Sequence, residues 1–264
     1  MTYLPRLFLA ALLACAAPLH AQELVTLPTR PGVTVSLFIA NMGKVPQRAA
    51  ALLLIGGGGN IRLRMEEGQV KFGQQNFLPR SRREFIAEGI LPVILDNPTD
   101  QQAGAGMSDD FRASAAHTAD LRAVIAEVKR RYPGLQVFLV GTSRSTISAA
   151  HQGRALGSEL AGVVLSSSLF RMRQAPVLAA FDFSSIRIPI LFVHHRADAC
   201  PATPYGDAEP LGAKFPLVSV SGGKPPETGP CDPLAPHGFY GKEAGTVGAI
   251  AAWMLGKPFA KEIQ

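Results

Sequence analysis

Residues 137–145 read Val-Phe-Leu-Val-Gly-Thr-Ser-Arg-Ser, and this stretch decides the fold class that the sequence predicts. The apolar run Val137–Val140 is typical of a strand that is buried on both faces. A sharp turn around Ser143 follows, and a helical stretch begins near Ser145. A serine at such a turn presents its hydroxyl above the sheet, and the strained backbone requires small residues two positions before and after it, here Gly141 and Ser145. Ser143 is therefore a candidate nucleophile.

Apolar runs alternate with helical patterns along the rest of the chain. The strand-like runs are Val33–Ala40, Ala50–Ile55, Ile90–Leu95, Gln136–Val140, Leu160–Ser166, Ile188–Val193 and Leu217–Val220. The helical patterns are Asn76–Glu88, Ala113–Arg131 and Lys242–Leu255. Strands that are apolar throughout are buried on both faces, and helices between them make neighbouring strands parallel. We predict an α/β fold with a doubly wound, mostly parallel sheet and flanking helices, in which strands at the start of the sheet can be antiparallel.

Composition limits the classes of protein that fit. The chain has 264 residues, of which 47% are hydrophobic and 17% charged, which is too apolar for a disordered protein. We predict one catalytic domain over residues 22–264, with no membrane span. The formal net charge is +6, but the basic residues form no continuous tract, so we expect no nucleic-acid partner. The segment Ser167–Arg187 is long enough for one small helix, Pro176–Phe181, and too short for a large cap domain.

The first 21 residues are typical of a secretory signal. An eleven-residue apolar stretch, Leu7–Ala17, follows a basic start, and a small residue, Ala21, marks the expected cleavage point. The alternative is a lipid anchor at Cys15, which follows Leu-Leu-Ala. Either interpretation places the protein in the periplasm or outside the cell, where disulfides form.

A glycine loop follows the apolar run Ala50–Ile55. The four residues Gly56–Gly59 let the backbone approach a ligand closely and leave N–H groups unobstructed. We expect the backbone N–H groups of Gly57 and Gly58 to bind an oxyanion together with the N–H of Arg144, which lies at the start of a helix. A phosphate-binding loop is the alternative, but it would need a Gly-Lys-Ser/Thr ending that is missing here.

A serine nucleophile needs a base, and the base needs a carboxylate that orients it. Asp198 follows the apolar run that ends at Val193, at the edge of the sheet where open α/β sheets bind ligands. His237 lies on a loop before the last helix and is the candidate base. Asp96, which ends an earlier strand, is the alternative acid.

Three short motifs resemble those of one branch of small exported α/β-hydrolases of undefined substrate. They are Gly-Thr-Ser-Arg-Ser at 141–145, His-His-Arg-Ala-Asp-Ala-Cys at 194–200 and His-Gly-Phe at 237–239. The resemblance covers essentially the whole chain after residue 21. It places the nucleophile, acid and base, in the chain order known for α/β-hydrolases, on Ser143, Asp198 and His237. The sequence departs from the usual pattern at Ser145, where glycine is usual.

The resemblance and the residues together predict an exported serine hydrolase. It would cleave a small-molecule carboxylic ester through an acyl-enzyme and would use neither a cofactor nor a metal. Two alternatives stay open at this point. One is a non-catalytic binding protein on a hydrolase scaffold, and the other is a serine peptidase or amidase that uses the same three residues.

The chain has three cysteines, and two of them flank the proposed catalytic residues. Cys15 leaves with the signal unless it carries a lipid. Cys200 lies just after Asp198, and Cys231 lies just before His237, so we predict a disulfide that ties the acid loop to the base loop. The alternative is a metal site built from the same region, with the ligands His194, His195, Asp198, Cys200, Cys231 and His237.

Overall fold

The computed structural model describes residues 23–40, 45–73, 75–172 and 177–264. The predicted signal of residues 1–21, with its cleavage point after Ala21 and the alternative anchor Cys15, lies outside the described residues. None of the described helices is long and apolar enough to cross a membrane.

Eleven strands and seven helices make up the described part of the chain. The strands are β1 (Glu23–Arg30), β2 (Val33–Ile39), β3 (Ala49–Leu54), β4 (Arg64–Glu66), β5 (Gln69–Lys71), β6 (Ile90–Leu95), β7 (Gln136–Thr142), β8 (Gly162–Ser166), β9 (Ile190–His195), β10 (Leu217–Val220) and β11 (Glu262–Ile263). The helices are α1 (Phe77–Arg80), α2 (Arg82–Ala87), α3 (Asp109–Ala113), α4 (Ala115–Arg131), α5 (Ser145–Leu156), α6 (Tyr205–Ala208) and α7 (Glu243–Met254).

Nine of these strands form one sheet, in the order β1-β2-β6-β3-β7-β8-β9-β10-β11. β2 pairs antiparallel with β1 and with β6, and every other neighbouring pair is parallel. Strands β4 and β5 form a separate hairpin. The predicted fold class is therefore confirmed, the start of the sheet is antiparallel, and the described residues form no large cap domain.

The continuous apolar strands are explained by two packed layers. On β3, Leu52 packs with Val124 of α4 and Ile147 of α5 in one buried cluster. Its neighbour Leu53 faces the other layer and packs with residues of α2 and α7, such as Ile250. Because both faces of β3 are covered, every position along it is apolar and buried.

The order of the strands also decides where a ligand can bind. The chain continues from β3 to β6 on one side and later returns to β7 on the other side of β3. In open α/β sheets, ligands bind outside the carboxyl ends of the strands at such a point. Two loops meet here, the glycine loop after β3 and the turn after β7.

Three predicted helices differ from the structure. The pattern over Asn76–Glu88 is divided at Ser81 into α1 and α2. The pattern over Ala113–Arg131 is divided at Ser114, which leaves the helix and accepts a hydrogen bond from the His117 N–H at 3.2 Å, capping α4. A capping serine competes with the helical backbone, which explains the break. The small helix predicted at Pro176–Phe181 is a 3-10 turn over Leu178–Ala180, and Pro176 lies outside the described residues.

His117 of α4 is buried, and neither of its ring nitrogens has a hydrogen-bond partner among the described residues. Burial, aided by repulsion from Arg112 and Arg30, lowers the pKa of its imidazole to about 3. In the unfolded chain the His117 imidazole has its ordinary pKa, near 6.5. Between about pH 6.5 and pH 3, it is therefore protonated in the unfolded chain and neutral in the folded one. The contribution of His117 to stability is complete above pH 6.5 and is lost as the pH falls.

We expect the substitution His117→Met to flatten the acid dependence of stability. Between about pH 6 and pH 4, the free energy of unfolding should fall less steeply in the variant than in the wild type. The two slopes should differ by about 1.4 kcal/mol per pH unit. Urea titrations at several pH values measure both slopes. Parallel curves for the two proteins would contradict a neutral buried His117.

Candidate active site

Ser143 connects β7 to α5 with a left-handed backbone, at φ 54°. A non-glycine residue in this conformation is strained and persists only where the surrounding packing holds it, as happens at many active sites. Gly141 makes the turn fit, since a Cβ at that position would lie 2.7 Å from the Ser145 carbonyl oxygen and 2.9 Å from the Ala149 Cβ. The small residue that the motif requires before the serine is therefore a steric necessity.

Ser145, at the position where glycine is usual, is fully buried and hydrogen-bonded. Its Oγ accepts from the Thr142 N–H at 2.8 Å and lies 2.8 Å from the Leu54 carbonyl oxygen and 2.9 Å from that of Thr142, to either of which it can donate. The hydroxyl thus joins the carboxyl ends of β3 and β7. The departure from the usual pattern is accommodated within the turn.

His237 and Asp198 form a buried pair. The His237 Nδ1 lies 3.0 Å from the Asp198 Oδ2, and the Cys200 N–H donates to Oδ1 at 3.0 Å. Thr203 donates its hydroxyl to Oδ2 at 2.8 Å and lies 3.1 Å from the same histidine nitrogen. A carboxylate beside Nδ1 favours the tautomer with its proton there, which leaves Nε2 unprotonated.

The backbone around His237 is held from several directions. Ser167 donates its hydroxyl to the His237 carbonyl oxygen at 2.8 Å. Arg80 donates to the carbonyl oxygens of Gly238 at 2.8 Å and Pro233 at 3.3 Å, and it forms an ion pair with Glu243 at 2.9 Å. These contacts link the loop that carries His237 to α1 and α7.

Ser143 and His237 line the same cavity, which has a volume of about 400 Å³. Gly57 and Cys231 also line it, so the structure brings together predicted site residues from three separate loops. Gly58, the other predicted donor of the glycine loop, is not among the lining residues of this cavity. It packs on a neighbouring loop, where a Cβ would lie 2.3 Å from the Ala105 carbonyl oxygen.

The glycine loop rests on a buried cation. The Gly57 carbonyl oxygen accepts a hydrogen bond from Arg112 Nη2 at 2.8 Å. Burial lowers the pKa of the Arg112 guanidinium to about 10, and repulsion from Arg144 adds to this effect. The Arg144 side chain pairs with Asp109 at 2.6 Å. The backbone N–H groups of Gly57 and Arg144 donate to no other group in the described part of the chain, so both remain available to an anion.

Asp96, the alternative acid, has a different role. Its carboxylate accepts from three backbone N–H groups, those of Ile61 at 3.0 Å, Leu63 at 2.7 Å and Asn97 at 2.9 Å. These bonds hold the segment after the glycine loop against the end of β6. The structure therefore places Asp198, and not Asp96, beside His237.

Cys200 and Cys231 form the predicted disulfide, across 31 residues of sequence. The bond links the turn that carries Asp198 to the loop that precedes His237. Both thiols are consumed by this bond, so neither is available as a metal ligand.

The two histidines at the end of β9 support the acid turn. His195 accepts from the Ala197 N–H at 3.0 Å and lies 3.0 Å from the Gly222 carbonyl oxygen, to which its Nε2 donates. His194 is buried below, where its Nε2 accepts from the Ser168 N–H at 3.2 Å and its ring stacks on Phe170.

Several residues of the site carry no sequence signal. These residues lie outside the recognisable motifs and reach the site through contacts with residues distant in sequence. They are Thr203, Ser167, Arg80, Arg112 and Asn76. Polar residues outside a motif are common, so no pattern in the chain distinguishes these side chains.

Comparison with solved structures identifies the fold. An α/β serine hydrolase without a lid from Xanthomonas campestris is 17% identical, with a TM-score of 0.55 over 86% of this chain and 94% of that one. An α/β serine hydrolase homologue from Coxiella burnetii is 13% identical, with a TM-score of 0.55 over 88% and 95%. A cold-adapted esterase from an Arctic intertidal metagenomic library is 13% identical, with a TM-score of 0.51 over 76% and 83%.

No protein-family model and no curated protein matches the sequence. At the identities found among solved structures, the similarity concerns the arrangement of the chain. The protein therefore has the fold of the α/β serine hydrolases.

Proposed function

We propose that this protein is a serine hydrolase that cleaves carboxylic esters. One observation carries the proposal: Ser143, in a left-handed turn, and His237, bound to Asp198, line the same cavity. A nucleophile, a base and an orienting acid on three separate loops are the parts that acyl transfer requires. The similarity in fold to serine hydrolases supports the same conclusion.

The reaction follows from these roles. The Ser143 Oγ attacks the ester carbonyl carbon while His237 Nε2 takes its proton, and Asp198 stabilises the resulting imidazolium. The N–H groups of Gly57 and Arg144 bind the oxyanion. His237 then protonates the departing alcohol, which leaves an acyl group on Ser143. A water molecule activated by His237 hydrolyses the acyl-enzyme and restores the serine.

We also propose that the protein works in the periplasm or outside the cell. The Cys200–Cys231 disulfide supports this location, because such bonds persist in oxidising compartments and are rare in the cytosol.

Replacing Ser143 with alanine should lower ester hydrolysis by roughly 10⁴-fold or more, because the acyl-enzyme cannot form. The rate of p-nitrophenyl acetate hydrolysis measures this loss, and the thermal unfolding midpoint should stay close to that of the wild type. A fluorophosphonate probe should label the wild type at Ser143 and leave the variant unlabelled.

Ser158→Ala is the matched control, since Ser158 is exposed and follows the far end of α5. It should keep both labelling and activity. A wild type that resists the probe and hydrolyses no ester would contradict the proposal and favour a binding protein. A panel of matched esters and amides separates an esterase from a peptidase or amidase, and we expect faster turnover of the esters.

Loss of the disulfide should weaken both stability and activity. We expect Cys231→Ser to lower the free energy of unfolding by roughly 3–4 kcal/mol, the loop-entropy value for a loop of this size. The value of kcat/KM should fall too, because the loops that carry Asp198 and His237 separate more easily. Wild type treated with a phosphine reductant should match the variant, and the reductant should not change the variant further. Full stability and activity in Cys231→Ser would contradict this role.

A further inference from the structure

Asn76 lies in the wall of the cavity that Ser143 and His237 share. It stands immediately before α1, and its Oδ1 accepts a hydrogen bond from the Leu78 N–H at 3.3 Å. This bond fixes the orientation of the amide group, because only the oxygen can accept from an N–H. The Nδ2 therefore lies on the side of the amide away from the helix.

The contacts of Gly56 show where the Nδ2 lies. A Cβ at position 56 would lie 3.3 Å from the Asn76 Nδ2, 3.2 Å from the Ser143 Cβ and 3.0 Å from the Thr142 carbonyl oxygen. The Asn76 amide and the Ser143 side chain thus border the same small space, which is open because residue 56 is glycine. Within the described residues, the Nδ2 donates to no protein acceptor.

The charges around the cavity leave a role for such a donor. No lysine or arginine is among the described residues that line it, whereas the acidic Asp232 is. The oxyanion donors proposed so far are the backbone N–H groups of Gly57 and Arg144. A neutral amide N–H that faces the reacting serine in a partly enclosed site stabilises developing negative charge without reorganisation.

We propose that Asn76 is a catalytic residue whose Nδ2 donates a hydrogen bond to the substrate carbonyl oxygen as this oxygen becomes an oxyanion. The inference rests on the proposed ester hydrolysis. When the Ser143 Oγ bonds to the carbonyl carbon, the π-electron pair of the C=O bond moves to the oxygen, and the serine proton goes to His237. On collapse the pair returns, the bond to the alcohol breaks and His237 protonates the alcohol. Asn76 stabilises the charged oxygen and exchanges no proton.

Capping of α1 gives a simpler role for Asn76, and the two roles use different atoms. The cap uses only Oδ1, and aspartate caps a helix about as well as asparagine. Asparagine differs from aspartate in its NH₂ group and in being uncharged. Asn76→Asp therefore keeps the cap and removes the donor, and Asn76→Ser keeps a capping oxygen on a shorter side chain that carries no charge.

The experiment compares these variants in the hydrolysis of p-nitrophenyl acetate. We expect Asn76→Asp and Asn76→Ser to lower kcat by about 10²–10³-fold, the loss found for a single oxyanion donor. The value of kcat/KM should fall by the same factor, because the bond forms only in the transition state. The thermal unfolding midpoints should stay near that of the wild type.

Gln75→Glu is the matched control, since Gln75 is exposed, lines the same cavity and gains the same charge. It should keep kcat within about threefold of the wild type, well short of the effect of losing an oxyanion donor. Full activity in Asn76→Asp overturns the role of Asn76. Full activity in Asn76→Ser, together with an equal loss in Asn76→Asp and Gln75→Glu, also overturns it, because the loss then comes from the added charge. The esterase proposal stands in both cases. A wild type without esterase activity or Ser143 labelling overturns the proposed function and this inference with it.

Discussion

The left-handed backbone of Ser143 is the constraint on which the rest of the site depends. The φ of 54° is tolerated because Gly141 has no side chain to collide with Ser145 and Ala149. Ser145 adds a second restraint, since its hydroxyl bonds to the ends of both β3 and β7. The turn therefore depends on the packing of two strands as well as on its own sequence. Any change that separates β3 from β7 also changes the orientation of Ser143.

The loops that complete the site are held to one another by bonds of different kinds. The disulfide ties the acid turn to the segment before His237, and Arg80 ties that segment to α1 and α7. Arg112 holds the glycine loop from below through the Gly57 carbonyl oxygen. Since loops are the more mobile parts of a fold, a site built from four of them needs such links to keep its geometry.

The sequence predicts the parts of this protein that follow a local rule. Strands such as Ile90–Leu95 are recognisable because burial on both faces makes every position apolar. The edge strand β1 and the hairpin of β4 and β5 are partly exposed and carry no such run, so the pattern misses them. Ser143 and His237 stand out because motifs surround them. Thr203 and Asn76 do not, because their roles come from contacts made only when distant loops meet.

Among the described residues, three histidines lie near enough to the Asp198 carboxylate to be attracted by its charge, but only His237 bonds to it. His194 is fully buried, and the cost of burying a cation lowers the pKa of its imidazole to about 3, despite the opposing attraction of Asp198. It therefore stays neutral at physiological pH and hydrogen-bonds to Ser168 instead. His237 faces the cavity and bonds directly to the carboxylate. Burial thus keeps His194 from competing as a second imidazolium for the charge of Asp198, which is left to His237, the histidine that lines the cavity with Ser143.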